Sequence, residues 1–221
     1  LSDLLLVPSP SAAKNLEIEG LGERAYIVGD VMFDTLSLLV KNSFSANYLH
    51  DKYGVNSNKF YLATIHRPEN TNNIEKLSSI LDSFSSLDHP VVFPIHPRTE
   101  KFINNFNLQD LLSNPNIKLI KPQGPLNFVS LMVHSNMILT DSGGIQKEAY
   151  FISKPCITIR EETEWVETVE DGWNKISSHD KGKILSSVLD FKLPNKNNML
   201  LGREGASKKI VELIIKKYIN E

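Results

Sequence analysis

Short apolar runs recur along the chain at 26–28, 60–65, 91–95, 117–120, 137–140 and 156–159, most of them bounded by Gly, Pro, Asn or Asp. They are continuous rather than alternating and rich in Val, Ile, Phe or Leu, the pattern of strands covered on both faces of a parallel sheet. Between them, apolar positions fall at helical spacing over 32–40, 73–86, 99–107, 126–134, 144–151, 163–170 and 179–189, with a last helix over about 204–218. In that last segment Ile210, Leu213 and Ile214 make an apolar stripe, while Lys208, Lys209, Lys216 and Lys217 mostly face solvent. Strand–helix alternation of this kind predicts an α/β fold with a Rossmann-like, doubly wound parallel sheet. Such a sheet places its chemistry at the C-terminal ends of the strands, where loops run into helix N-termini. The polar stretch 195–198 reads as a loop before the final helix, and no internal repeat or low-complexity tract interrupts the pattern.

The 221 residues suffice for one sizeable domain or two small ones. A hydrophobic fraction of 41% and a charged fraction of 23% are ordinary for a globular chain. With a net charge of -2 there is no basic footprint for nucleic acid, and no block of like charge suggests a membrane surface. Apolar runs stay short of the roughly 18–20 residues a membrane span requires. The single cysteine, Cys156, cannot form an internal disulfide, which fits a reducing, cytoplasmic compartment. The start lacks a basic n-region and is broken by Pro8 and Pro10, unlike a signal peptide. Beginning at Leu1 rather than Met, the chain is expected to be processed or a piece of something longer.

The residues with chemical potential cluster just after the apolar runs. In MILTDSGGIQKEAY a strand ends at Thr140, and Asp141, Ser142, Gly143 and Gly144 precede a helical run. Two glycines allow a tight turn and close approach of backbone to a ligand, and exposed N–H groups with the helix dipole favour an anion such as a diphosphate. Ser142 adds a hydroxyl that also suits an N-cap, and Glu148, one turn into the helix, offers a carboxylate to two ribose hydroxyls. Alone, the same segment fits an ordinary capped helix start. In FYLATIHRPENT, Pro68 stops the strand so that His66 and Arg67 sit on its exit loop. An imidazole there can donate to a phosphate oxygen or move a proton, and Arg67 is a permanent cation. The segment equally fits a surface loop whose helix is capped by Asn70 or Thr71. VVFPIH ends at His96, followed by Pro97 and Arg98, so two imidazoles leave separate strand ends toward one cleft. Their spacing to other ligating residues does not read as a metal site. Arg160 leaves the last apolar run ahead of Glu161, Glu162, Glu164 and Glu167, acids that also suit a first helical turn, and Trp165 is odd for a solvated helix. Gln123 and Phe128 could read a base edge and stack on its face, or be a turn and a core contact. No GxGxxG follows the first strand, against a dinucleotide oxidoreductase.

The order VGDVMFDTL, HRPEN, HPR, TDSGGIQKEA and KPCITIREETEW resembles the second half of the non-hydrolysing UDP-N-acetylglucosamine 2-epimerases, from about Leu1 to Asn174. The pairing of HRxEN with TDSGGxQxEA is the specific part. The resemblance implies the C-terminal domain of a glycosyltransferase-B-like (GT-B-like) fold, two Rossmann-like domains facing across a cleft. On that basis residues 1–24 are the end of a first domain and a linker, 25–200 the UDP-binding domain, and 201–221 a helix packing back toward the first domain. His66 matches the family's active-site histidine, Gln123 and Phe128 the uracil contacts, Ser142, Gly143 and Gly144 the phosphate loop, and Glu148 the ribose-binding glutamate. Arg67 and His96 match positions that in some bacterial relatives contact a second, activating substrate molecule. Many relatives read TERPE where this chain reads TEWVE, so Trp165 replaces an arginine and Arg160 is the nearest cation to compensate. The implied reaction interconverts UDP-N-acetylglucosamine and its manno epimer by elimination and re-addition of UDP, with no cofactor and no metal. Relatives supply the carboxylates for carbon two from the first domain, so this chain alone is expected to bind UDP weakly without turnover. The full-length protein is expected to be a homodimer. A glycosyltransferase of the same fold, the hydrolysing branch of the family and a non-catalytic nucleotide-sugar module are the alternatives.

Overall fold

The computed structural model describes residues 2–219; Leu1 and residues 220–221, the outer ends of the expected linker and terminal helix, lie outside the described residues. The chain forms two compact units, one made of its two ends up to Lys41 and from Asn198, the other of Asn42–Asn197. Residues 25–41, which the sequence reading places with the UDP-binding domain, cluster instead with the two chain ends.

The first unit opens with β1 (Leu5–Val7), α1 (Pro10–Ile18), β2 (Ala25–Ile27) and α2 (Val31–Lys41). β1 and β2 pair in parallel as a two-stranded sheet of their own, Leu5 opposite Ala25. The strand read at 26–28 therefore belongs to a different sheet from the other five. α1 begins where Ser9 accepts the Ala12 N–H and Pro10 occupies the first turn, where its missing N–H costs nothing. The C-terminal helix Ala206–Tyr218 is held in the same unit by Asp34 of α2, which accepts the backbone N–H groups of Gly205 and Ser207 at 2.6 and 2.8 Å.

The second unit runs α3 (Ala46–Tyr53), β3 (Tyr61–Thr64), α4 (Pro68–Thr71), α5 (Ile74–Ser85), β4 (Val91–Pro94), α6 (Pro97–Asn105), α7 (Gln109–Leu112) and β5 (Ile117–Ile120). It continues with α8 (Pro125–His134), β6 (Met137–Thr140), α9 (Gly143–Phe151), β7 (Cys156–Thr158), α10 (Val166–Glu170), β8 (Asn174–Ile176) and α11 (Lys181–Leu189). Its six strands are all parallel in the order β5-β4-β3-β6-β7-β8. From β3 the chain winds outward to β5, then crosses back to lay β6 on the other side of β3. The order reverses between those two strands, and there an open α/β sheet leaves its binding crevice.

The continuous apolar runs are explained by burial on both faces. Leu62, Val92, Ile138 and Cys156 point into one core with Leu49 of α3, Leu131 of α8 and Ala149 of α9. Their neighbours Ala63, Phe93, Leu139 and Ile157 point into the other, against Leu77, Ile80 and Phe84 of α5, Ile103 of α6 and Ile184 of α11. Phe84 meets Phe93 edge-on with ring centroids 5.7 Å apart, and burying one such ring contributes about 1.5–3 kcal/mol. Among the described residues no helix is long and apolar enough to cross a membrane.

Candidate functional site

β3 and β6 end side by side, with Thr64 paired to Thr140 and their hydroxyls 2.7 Å apart. The two segments singled out in the sequence, 66–70 and 141–144, are therefore adjacent loops at the switch point. Asp141 joins them. Its side chain is fully buried and accepts the His66 N–H at 3.0 Å, the Arg67 N–H at 2.9 Å and the Asn70 side-chain amide at 3.1 Å. The same Asn70 amide donates to the Ile159 carbonyl at 2.9 Å, tying in the exit of β7. Asn70 is thus no helix cap: it lies within α4, whose N-cap is Arg67 and whose first residue is Pro68, and it is buried.

This bracing aims the His66 imidazole. Its Nδ1 lies 3.5 Å from Asp141 and its ring 5.3 Å from that of His96, centroid to centroid, while a third of the side chain stays exposed. Nδ1 facing a carboxylate leaves Nε2 for a ligand. His96 caps α6, its Nδ1 accepting the Arg98 N–H at 3.1 Å, so its ring proton belongs on Nε2. Burial, then the neighbouring His66 and Arg98, push His96 below the ordinary histidine range, with Asp141 opposing. At neutral pH it is a neutral donor. Arg98 itself is turned back onto Thr71 and Asn72 at 3.0 and 2.6 Å.

Ser142 stands at the N-cap of α9, its N–H bonded to the Thr140 hydroxyl and its own side chain making no capping bond. The first amides of α9 and the Ser142 hydroxyl are left as donors at one point, with no acid in the first turn. A Cβ added at Gly143 would run into Glu164 Oε1 and lie 3.2 Å from Trp165 Nε1, so a side chain here requires the Glu164 carboxylate to swing aside. At Gly144 the nearest atom would be Ser142 Oγ at 3.9 Å, and the space above it is open. Glu148 follows one turn on. Burial pushes its carboxyl above the ordinary range, against the lowering effect of Lys147.

Arg160 leaves β7 toward the same place, but its guanidinium is committed to Glu164 at 2.6 Å, and Arg67 reaches the same carboxylate at 3.6 Å. Burial raises the Glu164 carboxyl; its own N–H and the charges of Arg160 and Arg67 outweigh that and hold it below the ordinary range. A cleft of about 200 Å³ between these exits is lined by Arg67, Lys76, Arg160 and His179 and by the acids Glu69, Glu161 and Glu162, a balanced charge that by itself carries no preference for an anion. The helix expected over 163–170 forms only at Val166–Glu170, leaving Glu164 and Trp165 on the preceding loop. Trp165 lies under the Lys147 ammonium, 4.4 Å from the ring centroid, and its indole N–H is buried without an acceptor.

Gln123 lies after β5, two strands from the switch point, with its carbonyl oxygen accepting the Tyr53 hydroxyl and its amide donating to the Lys121 carbonyl, both at 2.6 Å. Phe128 is a half-buried α8 residue packed against the core under that side of the sheet. Contacts through Asp141 and Glu164 thus bring His66, Arg67, His96, Arg160 and the Ser142–Gly143 turn together, with Gly144 and Glu148 following in α9, while Gln123 and Phe128 lie after β5, away from these contacts. Sequence reading passed over Asp141 and Asn70 as organisers and treated Glu164 as a helix-end acid. A wider groove of about 660 Å³ lies in the first unit, but its charged lining is Lys14, Glu17 and Glu23, which carries no preference for an anion. Among the described residues no group of three or more His, Cys, Asp or Glu could hold a metal ion.

The family model for UDP-N-acetylglucosamine 2-epimerase matches residues 1–215. A UDP-N-acetylglucosamine 2-epimerase homolog of Methanococcus maripaludis is 41% identical over 97% of this chain and 61% of its own length. A UDP-2,3-diacetamido-2,3-dideoxy-D-glucuronate 2-epimerase of Pseudomonas aeruginosa is 36% identical over 98% of this chain and 60% of its own length. The structure of the Methanocaldococcus jannaschii UDP-GlcNAc 2-epimerase in complex with UDP-GlcNAc and UDP superposes with a TM-score of 0.86 at 34% identity, covering 97% of this chain and 61% of that one. The chain thus spans about three fifths of the length of these relatives, with the expected GT-B-like fold class. By family match, identity and architecture together, this chain belongs to the UDP-N-acetylglucosamine 2-epimerase family.

Proposed function

We propose that this chain is the nucleotide-gripping part of a UDP-N-acetylglucosamine 2-epimerase, and that it holds UDP while the remaining length found in relatives supplies the acids and bases at carbon two. The observation that carries the reading is the Asp141 brace, which puts an imidazole and a glycine-bearing helix start on adjacent strand ends at the switch point. The amides of Gly143 and Gly144 and the Ser142 hydroxyl receive the diphosphate; His66 Nε2 donates to its leaving oxygen. Charge accumulates on that oxygen as the glycosidic bond breaks, so fixed donors there favour elimination over the bound ground state. Glu148 accepts the ribose hydroxyls, Gln123 and Phe128 face the uracil, and Arg160 balances phosphate charge. Arg67 and His96 border the position for a second, activating nucleotide sugar.

The names of the relatives leave two sugars in view, N-acetylglucosamine and a diacetamido uronate, and the first recurs in more of them. The test is calorimetry with UDP on the purified chain. UDP binds, and His66→Ala weakens it by about 1–3 kcal/mol through loss of a charge-assisted hydrogen bond. The chain alone does not convert UDP-N-acetylglucosamine to its manno epimer. An unchanged dissociation constant in the variant removes His66 from the site, and turnover by the chain alone refutes the division of labour.

A further inference from the structure

We infer that the Glu164 carboxylate is an internal anion seated beside the Ser142–Gly144 turn, holding the two arginines a diphosphate there would use, and that a diphosphate binds by displacing it. The inference rests on the proposed nucleotide site and adds a competitor to it. Glycine at 143 lets another group come against the helix start, and the group that uses this space is Glu164: an added Cβ would collide with its Oε1 and lie 3.2 Å from its Cδ. The carboxylate is also held as a phosphate would be, between guanidinium groups from two strand exits, Arg160 at 2.6 Å and Arg67 at 3.6 Å. Neither arginine is free for a ligand while this pair of contacts persists.

Two further features separate a displaceable occupant from a structural ion pair. Glu164 lies on the loop ahead of α10 with 43% of its side chain exposed, so leaving requires only a side-chain rotation into solvent. Beside it, the Trp165 indole N–H is buried with no acceptor and lies 3.2 Å from the same hypothetical Cβ. The internal carboxylate satisfies the arginines but leaves this donor unmet, and a buried donor is not left so without cost. A phosphate has more oxygens than a carboxylate. Seated at the turn, it takes over both guanidinium contacts and offers an acceptor to the indole.

A self-occupied site reduces apparent affinity by the fraction of molecules in which it is vacant. The test is calorimetry on the full chain with UDP, and with uridine, which keeps the base and ribose but has no phosphate. Glu164→Gln removes the competing charge at nearly constant shape, and UDP binds that variant about three- to tenfold more tightly than the parent. Uridine affinity does not change. Glu164→Asp, with a shorter reach, falls between the two for UDP, and thermal unfolding checks that each variant is folded. Unchanged or weaker UDP binding by folded Glu164→Gln, with the parent still binding UDP, overturns the competitor and leaves the site intact. An equal gain for uridine overturns it as well, because the effect would not act on the phosphate. Absence of UDP binding by parent and variants alike sinks the nucleotide site and this inference with it.

Discussion

Asp141 has the most consequential side chain of the site without being placed to touch a ligand. A fully buried carboxylate accepting two loop amides and one side-chain amide compensates its own desolvation by fixing His66 and Arg67 in place. Asp141→Asn turns one acceptor into a donor facing donors. It lowers unfolding free energy by about 2–4 kcal/mol in urea titrations, and UDP affinity falls with it as the imidazole loses its bearing. Glu148 presents the opposite case. Burial raises its carboxyl in the folded chain, so the folded form holds its proton more firmly than the unfolded one. That contribution to stability is present at low pH and is lost as pH rises through the folded value, leaving a buried charge at neutral pH. Glu148→Gln therefore unfolds at a higher temperature than the parent at pH 7 and at nearly the same temperature at pH 4. The charge is retained, on the proposed reading, to accept ribose hydroxyls, so the stabilised variant binds UDP about tenfold less tightly.

The start of α9 shows how far an element can be read from its own residues. Neither Gly143 nor Gly144 has a positive φ, so backbone conformation does not demand glycine at either. At 143 a side chain would crowd Trp165 and push the Glu164 carboxylate aside, whereas alanine at 144 would meet open space. Gly144→Ala is thus expected to stabilise the chain by about 0.5–1 kcal/mol through helix propensity. It is also expected to weaken UDP at least tenfold, because the methyl group covers the amides a phosphate must approach. Equal UDP affinity would move the diphosphate away from this turn. Such a turn is legible because its glycines, strand end and helix start lie within a few residues of each other. The central strands β3, β4 and β6 are legible for a related reason: burial on both faces writes an uninterrupted apolar run. β8 escapes because Asn174–Ile176 is a three-residue edge strand with Lys175 and Ile176 exposed. β1, Leu5–Val7, escapes although β2, of the same length and pairing only with it, is read at 26–28. α1 and α3 did carry signals, Ser9-Pro10 at one start and Ser45 with a left-handed Gly54 around the other, but without long apolar stripes to confirm them. The role of Asp141 was beyond local reading altogether: its partners lie more than 70 positions upstream and meet it only through the pairing of β3 with β6.

On the scale of the whole molecule, the two units differ in what holds them. The six-stranded sheet is sealed on both faces by large apolar clusters, with Phe60, Leu62, Ile80, Phe84, Phe93 and Leu139 fully buried. The unit built from the chain ends buries Val7, Val28, Leu36, Leu201 and Ala206, while Leu6, Ile27, Leu38 and Val211 are exposed. Its sheet has two strands, below the three or more that ordinarily stand alone in water. Local opening free energy follows buried apolar contact, so the units are expected to open independently and at different cost. Native-state hydrogen exchange measures this directly. The amide of Val28, bonded to the Val7 carbonyl at 3.0 Å, is expected to exchange at least a hundredfold faster than that of Ile138, bonded to the Pro155 carbonyl at 2.9 Å. A hundredfold corresponds to about 2.7 kcal/mol between the two openings. UDP, bound within the second unit, should slow exchange at the ends of β3 and β6 and leave Val28 unchanged. Equal protection of the two amides would mean that the chain opens as one cooperative body, with the small sheet no easier to open than the large one despite the few buried apolar side chains around it among the described residues.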